Sequence, residues 1–262
     1  MSTYCIYFSP TKQTEKITKF IGTQFQEIKT YDLCEQNFHE EHTFTNDDLC
    51  IIGVPSYGGR VPEIALERLK NIHGKHTDAI VIVSYGNRDY DDTLLELCTF
   101  LKQQQFHCIA AMSVVAEHSI MHQFAMNRPN KNDYDVLKKF TDQIKECRKT
   151  YQPSDSLVVP GNEPFKEYHG IPLKPKGTRA CTNCGLCASQ CPVGAIDQKN
   201  GKITDKHVCI SCMRCVSICP QHARKVNSLM VKVAAKKMEN VCNVPKENEL
   251  FLLQPIQKKQ ES

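Results

Sequence analysis

The stretch Cys181-Thr-Asn-Cys184-Gly-Leu-Cys187-Ala-Ser-Gln-Cys191-Pro192 is followed, after a spacer, by Cys209-Ile-Ser-Cys212-Met-Arg-Cys215-Val-Ser-Ile-Cys219-Pro220. The run C-x2-C-x2-C-x3-C-P thus occurs twice, and this is a spacing of iron–sulfur ligation. A cubane of four irons needs a soft thiolate at each iron corner. Three cysteines two residues apart can wrap one loop around three corners. Paired C-x2-C steps also build four-cysteine zinc sites. Zinc needs only four ligands, however, whereas each half here carries a third C-x2 step and the C-x3-C-P ending. Two [4Fe-4S] clusters are therefore the stronger reading. Pro192 and Pro220 close each loop by fixing φ and removing a donor.

Over about fifty residues this segment resembles the two-cluster bacterial ferredoxins, in which the fourth cysteine of each run ligates the other cluster. The resemblance implies one cluster on Cys181, Cys184, Cys187 and Cys219, and a second on Cys209, Cys212, Cys215 and Cys191. Gly185, Gly194, Ala195 and the Asn200-Gly201 turn suit a chain wound tightly around inorganic cores.

The chain has 262 residues, room for two domains. No run of about eighteen apolar residues is present, so no membrane span is expected. The N-terminus lacks a basic segment followed by a long apolar one, so no signal peptide is expected. Fifteen cysteines in such a chain argue against a disulfide scaffold and for a reducing, anaerobic cytoplasm. Cys5, Cys34, Cys50, Cys98, Cys108, Cys147 and Cys242 read as small buried hydrophobes.

The net charge of +4 is unevenly spread: residues 176–225 hold 8 Lys+Arg against 2 Asp+Glu, and residues 1–175 hold 19 against 23. Each oxidised cluster with its thiolates carries about two negative charges, offsetting much of that basic excess. Aromatic-basic interleaving is absent, so nucleic acid is not expected as a partner. An acidic redox protein fits better. A homodimer is compatible with these features.

Upstream, residues 3–9, Ile28–Asp32, Leu49–Val54, Ala79–Ser84 and His107–Val115 read as buried strands. Apolar residues at helical spacing fall between them, as at Leu94, Leu97, Cys98 and Leu101. Strands alternating with helices predict a doubly wound five-stranded parallel α/β sheet over residues 1–150. In such sheets ligands sit beyond the carboxyl ends of the strands. Three loops there are informative. Ser9-Pro-Thr11-Lys12-Gln13-Thr14 runs hydroxyl-rich into a helix N-terminus, an arrangement that holds a phosphate dianion. Pro55-Ser56-Tyr57-Gly58-Gly59-Arg60 offers a ring to a planar cofactor and backbone that can approach it closely. Tyr85-Gly86-Asn87-Arg88-Asp89-Tyr90 adds a second aromatic pair.

These three loops resemble the FMN-binding loops of flavodoxins, and the whole order resembles the flavodoxin–ferredoxin fusion proteins of anaerobes. The resemblance implies FMN with its phosphate on the first loop and its ring between the other two. The family's turn is usually Ser-Gly-Thr-Gly-Asn-Thr; here Pro10 removes a donor, and Lys12 is expected to add a cation for the phosphate. His118, after the fifth strand, reads either as a donor at the pocket edge or as a surface-loop residue.

Residues 151–176 carry five prolines and read as a stiff, ordered linker. Residues 177–225 form the small α+β ferredoxin domain. Residues 226–262 hold an amphipathic helix through Val226, Leu229, Met230, Val233 and Met238, with Phe251–Leu253 as a terminal anchor. Three functions follow as candidates. The first is electron transfer between one-electron carriers of ferredoxin or flavodoxin type and a bound FMN. The alternative is an FMN-dependent reductase of a small electrophile, and the third is a redox sensor. No GxGxxG fingerprint is present, so no internal dinucleotide domain is expected.

Overall fold

The computed structural model describes residues 2–152 and 155–255. Strand β1 (Thr3–Tyr7) leads through helix α1 (Gln13–Thr23) to β2 (Ile28–Asp32), the short β3 (His42–Thr43) and β4 (Leu49–Pro55). Then come α2 (Glu63–Leu69), the short β5 (Ile72–His73), β6 (Thr77–Tyr85), α3 (Thr93–Gln103), β7 (Phe106–Val115) and α4 (Lys131–Thr150). Every residue of β1 and β6 is buried, as expected of β-branched and aromatic strands covered on both faces.

The remaining elements are β8 (Ser156–Leu157), β9 (Lys176–Gly177), α5 (Leu186–Ser189), α6 (Arg214–Ser217), β10 (Arg224–Lys225), α7 (Ser228–Cys242) and β11 (Glu249–Gln254). The main sheet runs β2-β1-β4-β6-β7-β11-β8. Its first five strands are parallel and, counted alone, follow the 2-1-3-4-5 order of flavodoxin-like doubly wound folds. The strands expected from sequence all form, within two residues at each end.

The sheet is two strands wider than expected. β11 joins β7 antiparallel, with Leu252 opposite Ala110 and Phe251 opposite Ala111, and β8 pairs with β11. The physical reason lies in β7, a ten-residue buried strand that would otherwise leave its hydrogen-bonding edge bare. The terminal anchor read at Phe251–Leu253 is thus a strand.

The Pro-rich stretch is pinned along its length. The backbone N–H groups of Asn162 and Lys166 donate to the Asp92 carboxylate at 2.8 and 2.6 Å. Ser211 Oγ donates to the Ile171 carbonyl at 2.9 Å.

The cysteine-rich segment sits directly on the α/β domain. Arg68, buried on α2, donates to the carbonyls of Leu33 and, at 2.7 Å, of Pro192. Cys212 belongs to the same buried cluster as the sheet core. Burial lowers the Arg68 guanidinium from its usual range, yet the carbonyls give it hydrogen-bonded company. Arg68→Ala would leave two buried carbonyls unsatisfied, at about 1–3 kcal/mol each. Urea unfolding should therefore show a loss of about 2–5 kcal/mol. A midpoint unchanged from the parent would show that Arg68 does not hold the two parts together.

Candidate functional site

The two cysteine loops share one backbone design. Asn183 and Ser211, each just before the second cysteine of its run, have φ of 58° and 57°; Gly185 and Met213, just after it, have 78° and 62°. These left-handed residues turn the loops into α5 and α6, whose N-caps are Gly185 and Met213. Non-glycine residues there cost of order 1–3 kcal/mol and persist where surroundings over-determine them. The ends of the runs match too. Ala195 N–H donates to Cys191 Sγ and Ala223 N–H to Cys219 Sγ, both at 3.3 Å.

The thiols fall into two neighbourhoods. Cys191, Cys209, Cys212 and Cys215 line one cavity, with Arg214 and Arg224 on its wall. Burial pushes the Cys212 thiol up to about 12, and the nearby Cys191, Cys215 and Cys209 add to that push. Cys187 is likewise raised by burial; Arg224 opposes the rise, and Cys181 and Cys219 reinforce it. Cys184 is exposed. Among the described residues no three His, Cys, Asp or Glu side chains converge as ligands of a single metal ion.

The chemistry of this donor set fits an anionic iron–sulfur core. Arg214 Nε and Nη1 and Arg224 Nε are buried without a hydrogen-bond partner. A buried cationic donor left unpaired is costly, and a thiolate-ligated core of net negative charge would satisfy it. The positive charge of Arg224 beside Cys215 acts against the burial that raises that thiol to about 11.

A second cavity, of about 720 Å³, opens at the carboxyl ends of β1, β4, β6 and β7. That is the size of a cofactor site, at the switch point where the strand order reverses. From the first loop, Thr11, Gln13 and Thr14 line it. The amides of Gln13 and Thr14 open α1, where no intrahelical carbonyl reaches them. Thr14 Oγ1 is fixed by a 2.8 Å hydrogen bond with Ser84 Oγ. Ser9 lies behind: its Oγ accepts the Glu15 N–H at 2.9 Å, so it shapes the turn and does not line the cavity.

Lys12 corrects the expectation made of it. It takes φ 70° at the N-cap of α1, and its Nζ pairs with Glu15 at 2.6 Å and Asp32 at 3.7 Å, away from the cavity. Its charge is thus satisfied by neighbouring carboxylates.

From the second loop, Pro55, Ser56, Tyr57 and Gly58 reach the cavity. Burial raises the Tyr57 phenol well above its usual range, and the thiols of Cys212 and Cys34 add to the effect. Gly58 (φ 62°) faces the Tyr168 ring, where an added Cβ would sit 2.8 Å from two ring carbons. Gly59, buried against Asp91, and Arg60 do not line the cavity. Arg60 forms a bidentate pair with Glu96 at 2.6 and 2.8 Å and donates to the Lys166 carbonyl.

From the third loop, Tyr85, Gly86, Arg88 and Asp89 line the cavity. Asn87 instead ties this loop to the C-terminal segment, donating to the carbonyls of Cys242 at 2.6 Å and Val244 at 3.0 Å. Tyr90 packs edge-on against Tyr85 and donates to Glu249 Oε2 at 2.8 Å.

The remaining walls come from outside the three loops: His118 and Met121 after β7, Ile171–Leu173, Ser211 of the second cysteine run, and the Leu229–Met238 side of α7. The amphipathic pattern of α7 was the only sequence signal for its part. Ser211 lines the larger cavity, and its chain neighbours Ile210 and Cys212 line the thiol-lined one, so the second cysteine run passes from one cavity to the other.

Residues 180–224 match the 4Fe-4S dicluster domain family. Solved structures similar to the chain include a flavodoxin from the domain Archaea (11% identity, TM-score 0.37, covering 57% of this chain and 100% of that one). Flavodoxin 2 from Bacillus cereus aligns at 14% identity and TM-score 0.39, over 56% of this chain and 99% of that one. A flavodoxin of Streptococcus pneumonia TIGR4 aligns at 11% and 0.39, over 56% and 99%. No curated protein sequence matches. The 2-1-3-4-5 parallel sheet and the dicluster match at residues 180–224 together make the chain a fusion of a flavodoxin-like domain with a 4Fe-4S ferredoxin domain.

Proposed function

We propose that the chain passes electrons between a one-electron redox protein and a flavin, FMN, through two [4Fe-4S] clusters. The cysteine sets would be Cys181, Cys184, Cys187 and Cys219 for an outer cluster, and Cys191, Cys209, Cys212 and Cys215 for an inner one. The observation carrying this reading is the adjacency of the two cavities: Cys212 lines the thiol-lined one, the next residue back, Ser211, lines the larger one, and the Cys212 thiol acts on the Tyr57 phenol there. When bound, each cubane passes one electron and FMN holds one or two, so their union interconverts single and paired electron chemistry.

The protein's own groups set the terms of that exchange. Arg68 ties the end of the first cysteine run, at Pro192, to the α/β domain, and Lys174 of the Pro-rich stretch donates to the Cys209 carbonyl of the second run. The Gln13 and Thr14 amides would hold the phosphate, and Tyr57 and Tyr85 would flank the ring. The exposed Cys184 side, within the basic segment, is the entry face for an acidic carrier.

Anaerobically purified protein tests this. About eight irons per chain, four per cubane, and one acid-released flavin are expected. Reduction of the flavin by a ferredoxin-type donor should be fast in the parent and slowed in Tyr57→Leu, when rates are compared per bound flavin on samples of equal iron content. Protein that binds no flavin, or zinc in place of iron, overturns the reading. The reductase alternative is favoured by one specific feature, the apolar α7 wall opposite the flavodoxin loops.

A further inference from the structure

The flavodoxin loops account for one side of the large cavity, and the opposite side has a different character. There α7 presents Leu229, Met230, Val233 and Met238 to the cavity. Leu229 is 69% exposed and Val233 51%. Leu229, Met230 and Val233 do not anchor the helix, whereas Met238 packs partly on its anchoring cluster. Its anchors are Ala235 and Cys242, packed with Met121 and Phe124, and the bond from Asn87 to the Cys242 carbonyl. Apolar groups facing a cavity without serving as core are what a binding wall requires.

Two polar groups line the same cavity, His118 between Gly86 of the third loop and Phe124, and Lys237 on α7. His118 Nδ1 accepts the backbone N–H groups of Ile120 at 3.1 Å and Met121 at 3.2 Å. A neutral ring whose Nδ1 accepts must carry its proton on Nε2. The ring is immobilised: a Cβ at Gly86 would lie 2.7 Å from its Cδ2, and Phe124 meets it edge-on at 6.4 Å. Burial, with the charges of His122 and Arg88, draws the imidazole down to about 4, so at neutral pH it is an uncharged N–H donor. The second group, Lys237, lines the cavity and has no ion pair among the described residues. By contrast Arg88 is paired with Asp91, and Glu117 with His122.

We propose that the space between His118, Lys237 and the apolar side of α7 is a second binding compartment, which takes a small apolar carboxylate beside the flavin. One fixed N–H and one ammonium match the two oxygens of a carboxylate, while Leu229, Met230 and Val233 cover its hydrocarbon body. This rests on the flavin occupying the loop side of the same cavity.

The probe is 2-naphthoate, titrated calorimetrically into flavin-loaded protein, with flavin content measured in every sample. Saturable binding is expected, with an affinity lowered about tenfold or more in Lys237→Gln and in His118→Phe. His118→Gln, which keeps a donor, should bind more tightly than His118→Phe. Nitrogen NMR should show the Nε2–H tautomer of His118 with and without the probe. Binding unchanged in both Lys237→Gln and His118→Phe overturns the compartment, as does naphthoate that expels flavin one for one. Protein that never acquires flavin refutes the flavin reading instead, and the same titration on that protein still decides whether Lys237 and His118 hold the acid.

Discussion

Replacing Cys212 with serine should cost more than the same change at Cys184, although both occupy the middle of a C-x2-C-x2-C run. Cys184 is exposed, on the outer loop, whereas Cys212 is 8% exposed and part of the cluster that forms the sheet core. Cys184→Ser should halve the iron, leave the flavin in place and barely move the unfolding midpoint of the α/β domain. Cys212→Ser should also lose at least half the iron, but it removes the thiol that acts most strongly on the Tyr57 phenol and places a hydroxyl among apolar neighbours. An unsatisfied buried hydroxyl costs about 1–3 kcal/mol. Flavin reduction by an external one-electron donor should then fall by more than tenfold in Cys212→Ser and far less in Cys184→Ser. Iron assay, flavin assay and stopped-flow bleaching check this. Equal effects of the two substitutions would mean that the second cysteine run has no privileged place beside the flavin.

The contrast between those cysteines shows where sequence reading reaches and where it stops. The C-x2-C-x2-C-x3-C-P repeat is legible because iron–sulfur ligation is local: spacing and thiol softness suffice. The five strands are legible because β-branched runs such as Ala79–Ser84 carry their burial in their composition. The 2-1-3-4-5 order places the three loops together, and eleven of the seventeen residues named on them line the cavity. The other six show what local pattern cannot carry. Lys12 finds Glu15 and Asp32, Arg60 finds Glu96 and the Lys166 carbonyl, and Asn87 finds carbonyls more than 150 residues away. Each is a long side chain or amide whose partner is decided by tertiary packing. For the same reason the spacing of Leu229, Met230 and Val233 announced a buried helix face, while the face in fact lines a cavity. Hydrophobic period reports that a side is covered, and is silent about what covers it.

A chain ending at Glu247 should lose much of the stability of the α/β domain, although it keeps every loop named as a flavin contact and every cysteine of the two runs. It lacks Asn248, whose side chain accepts the Val115 N–H at 2.9 Å and donates to Asp133 at 2.9 Å. Glu249 goes too, and with it the acceptor of Tyr90 OH at 2.8 Å and Ser113 Oγ at 2.7 Å. Along β11, Leu250, Phe251 and Leu252 are half-buried and Leu253 is buried. Full burial of such side chains is worth about 1.5–3 kcal/mol each, so half that sum is about 3–6 kcal/mol. Against a total of about 5–15 kcal/mol for a typical domain, the loss is severe. For a domain of this size it corresponds to a fall in Tm of about 6–24 °C. Opposite Leu252 and Phe251 stand only Ala110 and Ala111, small residues that cannot refill the space. The edge of β7 bared over residues 110–113 would also offer a buried strand to another chain, so the truncated protein should aggregate on warming. Iron content should hold, because the dicluster segment ends upstream at residue 224. Flavin occupancy should drop, because Tyr90 and its partner Tyr85 lose the carboxylate that fixes them. Thermal unfolding followed by circular dichroism, with light scattering and flavin assay in parallel, measures all of this. A truncated chain with the parent's Tm would show that the sheet is complete without its antiparallel neighbour.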